Sequence, residues 1–499
     1  MKLKNIFIAA VALAGLTGCQ DWLDVQPKTE IKQDKMFETE SGFKDALIGA
    51  YMLMTDSMTY GREMTVTFLD VLGQQYELKS QNKYYYAKSY DYSRFKSTID
   101  NIWIKNYRTI ANLNALLEAL EEKKEILHPT NYANIKAEAL GLRAFLHLDL
   151  LRMFGYGNCA AQPTNLQKLC IPYVTEYSKK ISEQLTVKKV LDHIQADLTV
   201  AERLLSYYGV YNQETQDPDY ELPNDDGFYN NRRSRFNYYA VKATQARAYM
   251  WEGKYPEALK CVEKFISQSN PPIAWVNANT DIHVESKKQD LTYTKEHIFY
   301  VHVNNLYESL RPYVESYEIH GNFTISQNYN YFYISKTNVD LLYEAGDGTA
   351  ASDIRYMAWF PEPDTEQKIF KFYEPENSES TSRNKVPLIR KPEMFYYAAE
   401  CYNELGQPAK AVDMLNQVRV ARGILYSKNL PASLTKQQID DEIQKEWRKE
   451  YLSEGQMFFY YKRLGKVIPN TAAGSGDNVF VLPMPDKEIE IGGREDYKN

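Results

Sequence analysis

Beyond its first sixteen residues this chain has no long apolar run, so it lacks any ordinary membrane-spanning helix, which needs about 20 apolar residues in succession. Sustained basic stretches are missing as well. With a formal net charge of −7, that excludes a surface built to grip nucleic-acid phosphates. Cysteine is scarce, five in 499 residues, so no disulfide framework carries the fold. The seven histidines include no metal-ligand pair at helical spacing; His297 and His302 come nearest, in a strand-like run, and read as core or solvated side chains. H-E-x-x-H, G-x-S-x-G and G-x-x-x-x-G-K-[ST] are all absent, and with them the common zincin, serine-hydrolase and P-loop mechanisms. Acidic pairs such as Asp70 and Glu77 reach no significance among 66 acids. The chain therefore reads as a non-catalytic protein without metal or cofactor. Tryptophan is also sparse, at six, whereas tyrosine is abundant, at 41. A tyrosine joins a flat apolar ring to a hydroxyl, which suits either helix packing or a surface that holds an amphipathic ligand.

The N-terminus has the form of a targeting segment. Lys2 and Lys4 precede an apolar run from Ile6 to Leu16, too short to span a bilayer, and Leu16-Thr17-Gly18-Cys19 closes it. A small residue before a cysteine at this point resembles a bacterial lipobox. Residues 1–18 are read as a signal peptide and Cys19 as the lipidation site, anchoring the protein through several acyl chains. Of the other cysteines, Cys159 and Cys170 lie close together in a polar loop where a disulfide is plausible in an exported protein, and Cys261 and Cys401 fall in helical patterns.

Helical periodicity organises the rest. Ala137 to Gly157 is apolar almost all round, so it must be covered on most sides, with Gly155 and Gly157 expected to stop it. Helices are also expected over Phe37–Met54, Glu63–Leu72, Thr98–Lys124, Thr186–Tyr207 and Thr435–Leu464. Ala246-x2-Tyr249-x3-Gly253-x4-Ala258 recurs as Ala399-x2-Tyr402-x3-Gly406-x4-Ala411, the spacing of a tetratricopeptide helix-turn-helix. The fold class is accordingly mostly α, with tetratricopeptide-like repeats and an irregular, loop-rich half holding a few short strands. Residues 19–499 are read as one domain, its helical core at about 37–269 and 386–465 and a loop-rich insertion at about 270–385.

Several motifs then occur in order: Trp22-Leu23-Asp24 after the lipobox, Leu142-Arg143-Ala144-Phe145 and Arg152-x-Phe154-Gly155 on the central helix, and Leu388-Ile389-Arg390-x2-Glu393. Glu446-x-Arg448-x-Glu450-x3-Glu454-Gly455, Lys462-Arg463-Leu464-Gly465 and Leu482-Pro483-x-Pro485 follow. Together they make the chain similar to the SusD/RagB family of Bacteroidetes nutrient-binding outer-membrane lipoproteins. The acidic residues Asp21 and Asp24 beside Cys19 resemble the signal that sends such lipoproteins to the cell surface. The resemblance implies a surface-exposed protein that sits as a lid on a SusC-like TonB-dependent β-barrel transporter and captures oligosaccharides or, in the RagB branch, oligopeptides. Arg143, Arg390, Glu446, Arg448, Glu450 and Arg463 are expected to form buried or helix-face ion pairs rather than touch ligand.

Ligand residues do not carry over from these motifs. A binding surface needs flat rings for stacking and a few polar groups for orientation. Three regions hold both: 70–92, 207–230 and 305–333. The first and third rank highest, and from them Asp70, Tyr84, Tyr85, Asn305, Tyr329 and Tyr331 are the candidate ligand contacts. The competing possibility is that these tyrosines pack loop against loop. A further alternative for the whole chain is a protein-interaction scaffold that binds no nutrient.

Overall fold

The structure, a computed structural model, describes residues 33–208, 226–266, 273–320, 324–362, 364–375, 377–469, 471 and 474–495. The leader, Cys19 and Tyr211 lie outside the described residues.

Helix α1 (Glu40–Met54) starts at Thr39, whose hydroxyl accepts the Gly42 N–H. The expected helix over 63–72 is only one turn, α2 (Phe68–Leu72). Before it, Thr65 and Thr67 spend their hydroxyls on Tyr60 O and the Glu63 carboxylate, local bonds that compete with helix formation. Long helices α3 (Lys96–Glu122), α4 (Pro129–Phe154) and α5 (Val187–Tyr208) follow, each packing on the next.

Helix α4 is the buried centre that its apolar surface requires. Its few charges are all matched. Arg143 grips Asp197 with two nitrogens at 2.7 and 2.8 Å, Arg152 pairs with Asp149, and Glu138 takes Arg232 at 2.7 Å and Arg235 at 3.0 Å. The glycines that end it act through space rather than a left-handed cap. Gly155 is extended, and a Cβ there would stand 2.6 Å from Leu151 Cδ1; one at Gly157 would stand 2.4 Å from Lys462 O. Between α4 and α5, β1 (Leu169–Pro172) pairs antiparallel with β2 (Gln184–Thr186). Cys159 and Cys170 correct the disulfide expectation: both are buried free thiols, and Cys170 lies within β1.

The recurring motif forms helix-turn-helix pairs. In the first, α6 (Tyr238–Glu252) turns at Gly253, φ 81°, into α7 (Tyr255–Ile266). The next segment holds β3 (His297–His302), helix α8 (Leu306–Val314), hairpin β4 (Tyr317–His320) with β5 (Thr324–Gln327), and β6 (Tyr333–Ser335) leading into α9 (Lys336–Leu342). After α10 (Ile354–Trp359), strand β7 (Glu366–Lys368) pairs with β6 and β8 (Lys385–Arg390) pairs with β3. The second pair is α11 (Lys391–Glu404) and α12 (Pro408–Ala421), turning at Gly406, φ 72°. The four alanines of the motif are fully buried, and α7 packs directly on α11. The two repeats therefore stack as neighbours although over a hundred residues separate them in sequence.

The helix expected over 435–464 is two helices, α13 (Lys436–Glu450) and α14 (Gln456–Leu464). Ser453 and Gly455 break it with left-handed backbone, φ 62° and 68°. Against α13 lies a buried ionic cluster. The Glu450 carboxylate receives Arg355 at 3.0 Å, Arg390 at 2.6 Å and Arg422 at 2.8 Å, while Glu446 receives Arg355 at 2.9 Å and Arg419 at 3.1 Å. Three guanidiniums hold Glu450 far below the usual carboxylate range even though burial works to raise it. Arg463 pairs with Glu400 in the same way. Of the motif charges expected to pair, Arg448 alone does not: among the described residues it has no ion-pair partner.

Candidate functional site

The loops of the 70–92 and 305–333 regions, far apart in sequence, are bonded into one surface. Asn82 Nδ2 donates to Asn330 O at 2.8 Å, and the Lys83 N–H donates to Asn330 Oδ1 at 3.1 Å. The Glu77 N–H donates to Tyr333 O and the Phe332 N–H to Tyr313 O, each at 2.8 Å. Rings fill the interior of this junction: Tyr76 stacks on Phe332 with centroids 4.9 Å apart, and Tyr84 lies among Phe95, Tyr313 and Phe332.

Within it the candidate residues separate. Tyr85 and Tyr329 are exposed, and Tyr85 meets Tyr86 edge-on at 5.6 Å. Asn305 is exposed at the start of α8. The other three do not face solvent, which corrects the sequence expectation. Asp70 is fully buried and takes Tyr76 OH together with the N–H groups of Ser453 and Gly455. Burial pushes its carboxyl up to about 7 against those hydrogen bonds. Tyr84 is 1% exposed, its hydroxyl on Glu63 at 2.8 Å, and Tyr331 is buried with its hydroxyl on Glu366. These residues build the loops rather than offer themselves to a ligand.

Beside Asn305 the surface opens into a cleft of about 510 Å³. Two half-buried rings, Tyr307 and Tyr373, stand nearly perpendicular across 5.7 Å. Arg311 and Glu315 lie one helical turn apart and bond at 3.0 Å, and Glu315 also receives the Tyr307 hydroxyl, so that both side chains are held in place. Burial and this carboxylate together push the Tyr307 phenol well above its ordinary value, so it remains a donor. Arg383 reaches Glu374 at 2.8 Å on the opposite loop. Asn305, Asn377 and Asn384 all have left-handed backbone, φ 55° to 60°, a conformation asparagine accepts more readily than most residues. They turn the two loops around the cleft, one before α8 and one between β7 and β8, and leave amide groups at its edge. Flat rings with amides, carboxylates and guanidiniums around them can cover the C–H face of a sugar and read its hydroxyls. Tyr373, Arg383 and Asn384 escaped sequence reasoning. They fall in a polar stretch with no periodicity, where a lone tyrosine among Glu, Asn and Ser was the sole signal.

A family described as "Starch-binding associating with outer membrane" matches residues 21–217, and one described as "SusD family" matches residues 323–478. The SusD-like protein P38 of Formosa agariphila is 22% identical over 511 residues, covering 94% of this chain and 93% of that protein. The SusD-like protein P25 of the same organism is 22% identical over 278 residues, 54% of this chain and 47% of its own length. Among solved structures, a SusD superfamily protein from Bacteroides vulgatus superposes with a TM-score of 0.68 at 19% identity, covering 92% of this chain and 98% of the other. A SusD-like carbohydrate binding protein from the same species gives 0.64 at 20% identity, covering 86% and 84%. At such identities the structural likeness is one of fold.

Proposed function

The chain belongs to the SusD/RagB family, and on that premise we propose that it is a non-catalytic, cell-surface binding lipoprotein that captures oligosaccharides and passes them to a SusC-like TonB-dependent transporter. The observation that carries the reading is the cleft walled by Tyr307 and Tyr373, with its fixed arginines, carboxylates and asparagines, at the end of the tyrosine-bearing loops. One of the two matching families is described as starch-binding and associating with the outer membrane, and one structural relative as carbohydrate binding. No described helix is long and apolar enough to cross a membrane. In this reading the attachment is the acylated Cys19, several chains on one residue being enough for stable anchoring.

Calorimetric titration of the mature chain with a panel of oligosaccharides and oligopeptides tests the reading. At least one oligosaccharide class should bind, and Tyr307→Ala and Tyr373→Ala should each weaken it about tenfold or more, as loss of a stacking ring does. Binding of peptides alone would move the cargo to the peptide branch of the family. Glycan binding indifferent to both rings would remove this cleft from the site.

A further inference from the structure

A second cleft, of about 390 Å³, lies where the 74–77 segment meets α9, α13 and Pro469. Several of its buried polar atoms are without a partner. Gln74 and Gln75 are more than nine-tenths buried, yet neither amide atom of Gln75 and not the carbonyl oxygen of Gln74 has a hydrogen-bond partner. Arg448 is half-buried on the α13 face turned to this cleft and makes no ion pair among the described residues, while its neighbours Lys445 and Lys449 are both satisfied by Glu344. Lys88 donates to Tyr76 O at 2.9 Å and has no carboxylate within ion-pair range among the described residues. The one carboxylate in the lining, Glu77, is occupied by the Ser335 N–H and Asn338 Nδ2, both at 2.9 Å. Leu341, 71% exposed, supplies an apolar edge.

Unmatched buried amides and an unpaired guanidinium cost free energy unless a ligand satisfies them. A guanidinium with no ion pair among the described residues, beside a lysine whose carboxylate neighbour Glu77 is spent on two hydrogen bonds, favours a ligand group that is negative and rich in acceptor oxygens. The apolar edge beside them fits the C–H side of a sugar ring. We propose that this cleft is an anion-selecting subsite: Arg448 and Lys88 take the carboxylate or sulfate of an acidic sugar unit while Gln75 hydrogen-bonds its hydroxyls. The chain would thus be selective for acidic over neutral oligosaccharides. The inference rests on the glycan-capture reading and adds the class of glycan.

The test titrates the mature chain and its Arg448→Gln and Lys88→Gln variants with oligogalacturonate, a sulfated oligosaccharide, maltohexaose as a neutral glycan, and oligoglutamate as an acidic peptide. Arg448→Gln removes no hydrogen bond or ion pair among the described residues, Lys88→Gln gives up only the bond to Tyr76 O, and circular dichroism verifies folding of both. An acidic glycan should bind at least tenfold more tightly than maltohexaose. Arg448→Gln should weaken the acidic glycan about tenfold, the loss of one charge-assisted bond, and leave any maltohexaose binding unchanged. Acidic-glycan affinity that Arg448→Gln leaves intact, or a preference for maltohexaose, overturns the subsite and leaves glycan capture standing. Oligoglutamate binding with the same Arg448 dependence and equal strength overturns the assignment to a glycan. Absence of binding by every glycan overturns both readings together. Weaker oligogalacturonate but unaltered sulfated-glycan binding in Arg448→Gln would also refute it, since one cleft is to serve both anions.

Discussion

The Asp70 carboxylate accepts the Gly455 N–H at 2.8 Å across 385 positions of sequence, and its second oxygen accepts the Ser453 N–H at the same distance. This junction pins the start of the candidate binding loops to the break between α13 and α14. Both oxygens face donors only. Asp70→Asn replaces one of them with an NH₂ group directed at an N–H or at the Tyr76 hydroxyl. It should lower unfolding free energy by about 1–3 kcal/mol, the cost of a buried donor left opposite a donor, as read from urea denaturation. An unchanged midpoint would mean that the junction contributes nothing to holding the loops.

Neighbouring tyrosines in the first loop should behave in opposite ways. Tyr84 is buried among rings with its hydroxyl on Glu63, so Tyr84→Ala should destabilise the fold by about 3 kcal/mol or more. Tyr85 and Tyr329 are exposed, and their replacement by Ala should leave the melting temperature within a degree or two and act, if at all, on ligand affinity. Thermal melts of the three variants, followed by titration of the two that stay folded, separate scaffold from surface. A stable Tyr84→Ala would contradict the placement of that ring.

His147 on the central helix sets part of the response to acid. Its ring is fully buried; Nδ1 lies 2.8 Å from Arg143 O and Nε2 3.0 Å from the Val174 nitrogen, which donates to it. A proton on Nε2 would therefore face an N–H, and burial already pushes the imidazole down to about 3. Because the unfolded chain binds this proton near 6.5 and the folded chain does not, stability is lost as pH falls from about 6.5 towards 3. The slope from this one group is about 1.4 kcal/mol per pH unit. Denaturation midpoints between pH 7 and 4.5 should fall less steeply in His147→Gln than in the parent protein; parallel curves would show that His147 does not titrate this way.

Helices were readable wherever one periodic stripe had to be covered. The all-round apolar central helix could exist only as a buried one, and the Ala-Tyr-Gly-Ala spacing specified the two hairpins down to the left-handed glycines at their turns. The split between α13 and α14 was not read, because apolar residues continue on both sides of 451–455 and the one glycine there, Gly455, does not by itself specify a break. Asp70 and the Met64 carbonyl, both distant in sequence, determine the backbone there. The candidate loops were found by composition, but not their inner and outer members. A segment without periodicity gives no phase, so Tyr84 and Tyr85 look alike until the chain around them is folded.

Sequence alone therefore determined the helical class, the repeated hairpin and the family, since each depends on local periodicity or on motifs in order, and its composition singled out the two tyrosine-rich regions. Only the tertiary structure decided which tyrosines face solvent, that Arg448 has no carboxylate partner among the described residues, and that Tyr307, Tyr373 and Asn384 converge on one cleft. Those outcomes depend on which distant segments meet and on the charges they bring with them.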